Sequence, residues 1–118
     1  MDHPVMYLLI NDGLKMGKGK CCSQVGHCVG EITERFIRKA YESKTPPKEY
    51  FTFMRWKKNS VKIVLKATEE QMRELMKRDD AVAIIDNGLT QVPNHSLTCI
   101  GFYPSSELGD LFKDYKLL

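Results

Sequence analysis

A chain of 118 residues, 42% of them apolar and 28% charged, has material for one continuous buried core and little more. No segment approaches the ~20 apolar residues of a membrane span. The apolar run Val5 to Ile10 meets Asn11-Asp12-Gly13 too early for a secretory leader, so the expectation is a single cytoplasmic domain over 1–118 with no membrane contact. The net charge of +3 hides an asymmetry: 13 Lys and Arg against 6 Asp and Glu from Met1 to Lys66, then 5 against 9 from Ala67 onward. The first half is suited to an anionic partner, a merely solvated basic surface being the blander alternative.

Taken in chain order, Val5 to Ile10 is a continuous β-favouring run and predicts a strand buried on both faces. A Gly- and Lys-rich loop, Lys15 to Gly19, leads into helical periodicity from Lys20 to about Glu42, which Pro46-Pro47 then stops. The connection to Ser60 carries Tyr50, Phe51, Phe53 and Trp56, and its pattern leaves a second helix undecided. Trp56 is expected in the core or at its rim. Val61 to Ala67 alternates Lys62, Val64 and Lys66 with Ile63 and Leu65 and predicts a strand. Thr68 and Gln71 form a capping box for a helix to about Arg78.

Ala81 to Ile85 and Leu97 to Phe102 predict the third and fourth strands, with Asp86-Asn87-Gly88 as a turn after the third and Ser105 or Ser106 capping a last short helix. The order implies an α/β fold: a single three-layer domain with a four-stranded mixed β-sheet flanked by helices on both faces. The cysteines, Cys21, Cys22, Cys28 and Cys99, contain no CxxC pair and are expected to fill space without holding a metal.

At about 100° per residue, Lys20, Gln24, His27 and Glu31 share one line of the first helix, while Cys21, Val25, Cys28, Val29, Ile32 and Phe36 form an apolar stripe beside it. Before that line, Gly17-Lys18-Gly19-Lys20 brings two lysines to unpaired N–H groups at a helix start, a place that favours an anion. It is not a nucleotide-binding GxxxxGK[ST] loop. Gly13 to Gly19 encloses five residues instead of four, and Cys21 stands where a hydroxyl is required. Asp86, Thr90 and Gln91 project from the carboxyl end of a strand, where sites of open α/β sheets gather, although Asp-Asn-Gly is also an ordinary turn.

Four ordered blocks, Lys15-Met16-Gly17-Lys18-Gly19-Lys20 with Gln24 and His27, Lys62 to Lys66, Asp86 to Gln91, and Ser96 to Gly101 with Pro104, resemble the type 2 peptidyl-tRNA hydrolases along nearly the entire chain. The resemblance implies hydrolysis of the ester between a peptide and the 3′ end of tRNA, recycling tRNA for translation, without metal or other cofactor. It places Lys20, Gln24, His27, Asp86 and Thr90 on active-site positions, and Lys15, Lys18, Lys62, Gln91 and Thr98 on neighbouring or tRNA-facing ones. Departures are the three helix cysteines in place of small residues, Asn87 and Leu89 in place of alanine and arginine, and Pro93-Asn94-His95-Ser96 in place of Ala-Pro-Gly-Ser.

A metal-free ester hydrolase must activate water, stabilise an oxyanion and let a ribose oxygen leave. The expected division gives the water to Asp86, directly or through His27, and the oxyanion to Lys20 and Gln24, with Thr90 positioning. Arg55, Lys57 and Lys58 would join the basic surface. The rivals are a catalytically silent tRNA-binding or adaptor protein of the same fold and a basic interaction domain. Whether the chain works alone or as a homodimer stays open. The geometric requirement is that Lys20 and Asp86 lie on the same side of the sheet.

Overall fold

The computed structural model describes residues 3–87, 92–93 and 95–118. Its strands are β1 (Met6–Asn11), β2 (Lys62–Ala67), β3 (Ala81–Asp86), β4 (Ser96–Phe102) and β5 (Lys116–Leu117), ordered β3-β4-β1-β2-β5 in one mixed sheet. The sheet therefore has five strands where four were expected. The extra one is two residues long, too short for any alternation to be visible in sequence. It pairs antiparallel to β2 through Leu65 with Leu117 and Lys66 with Lys116.

β1 and β2 are parallel, from Met6 opposite Lys62 to Asn11 opposite Ala67. β4 is antiparallel to both β1 and β3, so β1, β2 and β3 run one way and their carboxyl ends share one edge of the fold. The crossover from β1 to β2 holds α1 (Lys18–Glu42) and α2 (Lys48–Lys57), which settles the segment that periodicity left undecided. In α2 the buried pair Phe53 and Trp56 packs toward α1, and the indole Nε1 of Trp56 donates to the Val61 carbonyl at 2.7 Å, so this ring is core.

Helix α3 (Glu69–Leu75) opens on the expected capping box, the Gln71 amide donating to Thr68 Oγ1 at 3.1 Å and Gln71 Oε1 accepting from the Thr68 amide at 3.0 Å. It stops short of Arg78. The last helix, α4 (Gly109–Phe112), starts beyond both serines; Ser105 Oγ accepts instead from the Glu107 amide, within the preceding turn.

The two faces of the sheet have separate cores. Met6, Leu8 and Ile10 meet Cys28, Ile32 and Phe36 of α1 on one face, while Leu9, Leu65, Leu97, Ile100 and Phe102 meet Met72 and Phe112 of α3 and α4 on the other. In β4 this alternation slips. Ile84 pairs with Cys99 but Ile85 with Leu97, which leaves Thr98 as the extra residue of a β-bulge. The two residues Thr98 and Cys99 therefore both turn toward α1, one through its hydrogen bond to Gln24 and the other through the first core. Asn11 ties the end of β1 to its surroundings: buried, it donates to the Leu97 carbonyl at 2.9 Å and to Glu69 at 3.0 Å, and accepts from the Gly13 amide at 3.1 Å. Among the described residues no helix is long and apolar enough to cross a membrane.

Helix α1 packs tightly on β4 at Gly101, where an added Cβ would stand 2.5 Å from Cys28 Sγ and 2.9 Å from Ile32 Cδ1. Both neighbours are fully buried and have no room to retreat. Gly101→Ala is expected to destabilise the fold by about 1–3 kcal/mol in denaturant unfolding; an unchanged midpoint would contradict this tight helix-to-strand contact.

Candidate functional site

Along β3 the residues Val82, Ile84 and Asp86 fall on the α1 side of the sheet, because side chains alternate and Val82 and Ile84 belong to the core beneath α1. Asp86, the last of them, meets Lys20 in the first turns of α1: Lys20 Nζ lies 3.0 Å from Asp86 Oδ1. The two side chains are only 11% and 15% exposed, so their attraction is screened less than that of an ordinary surface pair. A lysine at a helix start sits against the positive end of the dipole, and the carboxylate offsets that repulsion. The expected facing of Lys20 and Asp86 is thus present.

One turn further, Gln24 is buried, and its Oε1 accepts from the Thr98 hydroxyl at 2.6 Å. Thr98 reaches this position because of the bulge, and its Oγ1 also lies 3.3 Å from the Ile84 carbonyl. His27 is exposed, as are Glu31 and Arg35 beyond it. These three, with Gln24 and the Ala83–Asn87 stretch, line an open cleft of about 530 Å³ between α1 and β3. Gln24, His27 and Glu31 of the polar line read from periodicity thus form one wall of this cleft, and Lys20 adjoins it through Asp86. Arg35 was missed; its signal is a position four residues after Glu31, which extends the same line by a turn.

The other residues singled out from sequence fall elsewhere. Lys15, with a left-handed φ of 50°, is 78% exposed and lies 3.5 Å from Asp12. Lys18, the first residue of α1, faces an apolar groove on the helix's other flank, beside Cys22, Val25, Val64 and Leu118. Lys62 stands at the start of β2, a strand length or roughly 16 Å from the edge that carries Asp86. Its ammonium lies 5.3 Å from the Trp56 ring centroid and donates to the Ser60 carbonyl at 3.0 Å. Thr98 has no exposed surface and so makes no direct contact at the protein's exterior. Thr90 and Gln91 lie outside the described residues.

Cys21, Cys28 and Cys99 are buried and Cys22 is exposed. Burial pushes the Cys21 thiol up from its ordinary value, and the neighbouring Cys28 together with burial pushes Cys99 well up. Neither offers a thiolate nucleophile at neutral pH. In the connection between β3 and β4, His95 adopts a left-handed φ of 62°, at the position where the resemblance places glycine, and its amide donates to the Asp86 carbonyl at 2.7 Å. Histidine is among the residues that tolerate this region.

The arrangement provides an ammonium held against a carboxylate, and that carboxylate shares one cleft with a fixed amide and an accessible imidazole. Residues 4–118 match the family model described as Peptidyl-tRNA hydrolase PTH2. The chain is 33% identical to a peptidyl-tRNA hydrolase of Staphylothermus marinus, over 94% of this chain and 92% of that one. It is 32% identical to the peptidyl-tRNA hydrolase of Sulfolobus acidocaldarius, over 96% and 98%. It is also 35% identical to a probable peptidyl-tRNA hydrolase 2 of Caenorhabditis elegans, over 89% of this chain and 33% of that longer one. With the match running from the start of β1 through β5, the chain belongs to the peptidyl-tRNA hydrolase PTH2 family.

Proposed function

We propose that this protein hydrolyses the ester between a peptide and the 3′ end of tRNA, and that Lys20, Gln24, His27, Asp86 and Thr90 form the reacting set. The observation that carries the assignment of the site is the partly desolvated Lys20–Asp86 pair at the mouth of a polar cleft. An ammonium has three donors, and Asp86 engages one, so others remain for an oxyanion that develops on the ester carbonyl. Gln24 is suited to add a second donor. With Thr98 donating to its Oε1, the amide's NH₂ group is the end available to the substrate.

Asp86 orients the attacking water, directly or by way of His27, which lines the same cleft and whose imidazole nitrogens can accept and pass on a proton. Thr90 completes the set by positioning Asp86 or the water. Lys15 and Lys18 hold the last phosphate of the tRNA's 3′ end, next to the ester, near the opening of α1, where helix N–H groups favour phosphate. Gln91 works beside them, and Lys62 supplies a more distant contact. Thr98 acts through Gln24 and does not meet the RNA. The protein works in the cytoplasm, with translation. A silent adaptor is the weaker reading, since RNA binding alone gives no reason to hold a carboxylate beside a phosphate-seeking lysine.

Asp86→Asn should lower turnover of diacetyl-lysyl-tRNA on the order of 10²-fold or more; an unchanged rate removes Asp86 from the reaction. Thr98→Val, which leaves Gln24 Oε1 without its donor, should reduce kcat roughly 10-fold with KM little altered, and Thr98→Ser should restore most of it. A stable Thr98→Val variant with full kcat would sink the role given to Gln24. If about three phosphates are contacted, doubling physiological salt should weaken tRNA binding roughly 6-fold, whereas salt-independent affinity would refute the basic contacts.

A further inference from the structure

The cleft does not end at the reacting groups. From Lys20, α1 continues its polar line through Gln24, His27 and Glu31 to Arg35, which lies about 22 Å farther along the helix axis. That length accommodates several nucleotides of extended strand. Arg35 is exposed and makes no ion pair among the described residues, although it shares the cleft with Glu31. Beyond it the chain becomes strongly basic, with eight Lys and Arg against two Glu from Arg35 to Lys58, all within the second half of α1, α2 and their junction.

Resting on the site assigned above, we propose that the unpaired 3′ strand of the tRNA runs from the Lys20–Asp86 pair along the cleft between α1 and β3, with Arg35 as the phosphate contact at its far end. The acceptor duplex then meets the basic surface that follows. A guanidinium with unused donors is suited to a phosphodiester, which it binds through two parallel hydrogen bonds. Glu31, between His27 and Arg35, is unsuited to a phosphate. It is suited to accept from the amino groups of unpaired cytosine or adenine, whose edges a single strand exposes. The groove on the opposite flank of α1 is apolar except for Lys18, which makes the polar cleft the better path for a nucleotide chain.

Binding of uncharged tRNA by the full-length protein tests this without relying on turnover. Arg35→Ala should weaken intact tRNA roughly 5-fold, flatten the logarithmic salt dependence by about 0.7, and have no effect on tRNA trimmed of its unpaired 3′ nucleotides. Arg35→Lys should recover part of the loss, and Lys113→Ala, which removes an exposed charge beside α4, should change nothing. Equal weakening of intact and trimmed tRNA would place Arg35 on the duplex and overturn the proposal, as would no weakening of either. If the Arg35→Ala effect appears only when the tRNA carries a longer peptide, the cleft holds the peptide and the proposal is wrong. The reading beneath it fails separately, through an Asp86→Asn variant that keeps its rate.

Discussion

Helix α1 lies against β4 where Gly101 presents no side chain, and Cys28 and Ile32 occupy the space a methyl group would need. That contact fixes the height and position of a 25-residue helix over the sheet, and the remaining geometry follows from it. With Cys28 and Ile32 seated there, the turns that precede them carry Lys20 and Gln24 across the carboxyl ends of the strands. Lys20 arrives beside Asp86 and Gln24 above Thr98. Cys28 suits this packing, being fully buried with its thiol pointing at the Val82 carbonyl, 3.6 Å away, whereas Cys22, expected to fill space, is exposed. Asn11 performs a related service below, joining β1 to β4 and α3 so that the edge carrying the site is braced from both faces.

The two flanks of α1 differ in chemistry because one helix serves two masters in its periodicity. The apolar stripe drives it onto the sheet, and what remains divides into a polar wall facing β3 and a weakly covered apolar flank facing β2 and β5. β3 is an edge strand, so the cleft beside it has no further strand to close it. The basic excess of the first half is therefore arranged in space, with lysines around the opening of α1 and a larger group of lysines and arginines past its middle.

Much of this was legible from residue patterns. The strand and helix order, the capping box at Thr68 and the polar line from Lys20 to Glu31 all follow from local periodicity and short-range hydrogen bonding, which are properties of neighbouring residues. The pairing of Lys20 with Asp86 rested on the family likeness, since 66 residues separate them. Features that depend on pairing between strands were not legible. β5 exists because β2 offers an edge, and nothing in Lys116-Leu117 alone requires a strand. Lys62 lies in a matching block yet stands at the amino end of its strand, as its place in the Val61 to Ala67 run already indicated, so the match by itself does not bring it to the edge that carries Asp86. Thr98 matched as a residue near the substrate, but the face it takes, under Gln24, comes from a register slip that its immediate neighbours do not announce.

That slip separates shape from chemistry. The order of the strands and the placement of the helices would be the same with or without one extra residue in β4, since Leu97, Ile100 and Phe102 keep their common core on the far face. What the extra residue changes is parity. It brings a hydroxyl to the underside of α1 that an uninterrupted ladder would have turned away. Two proteins with this same five-stranded outline can therefore differ at the Gln24 amide without differing in architecture. The surroundings of that amide are set by the phase of a single strand, below the level at which folds are compared.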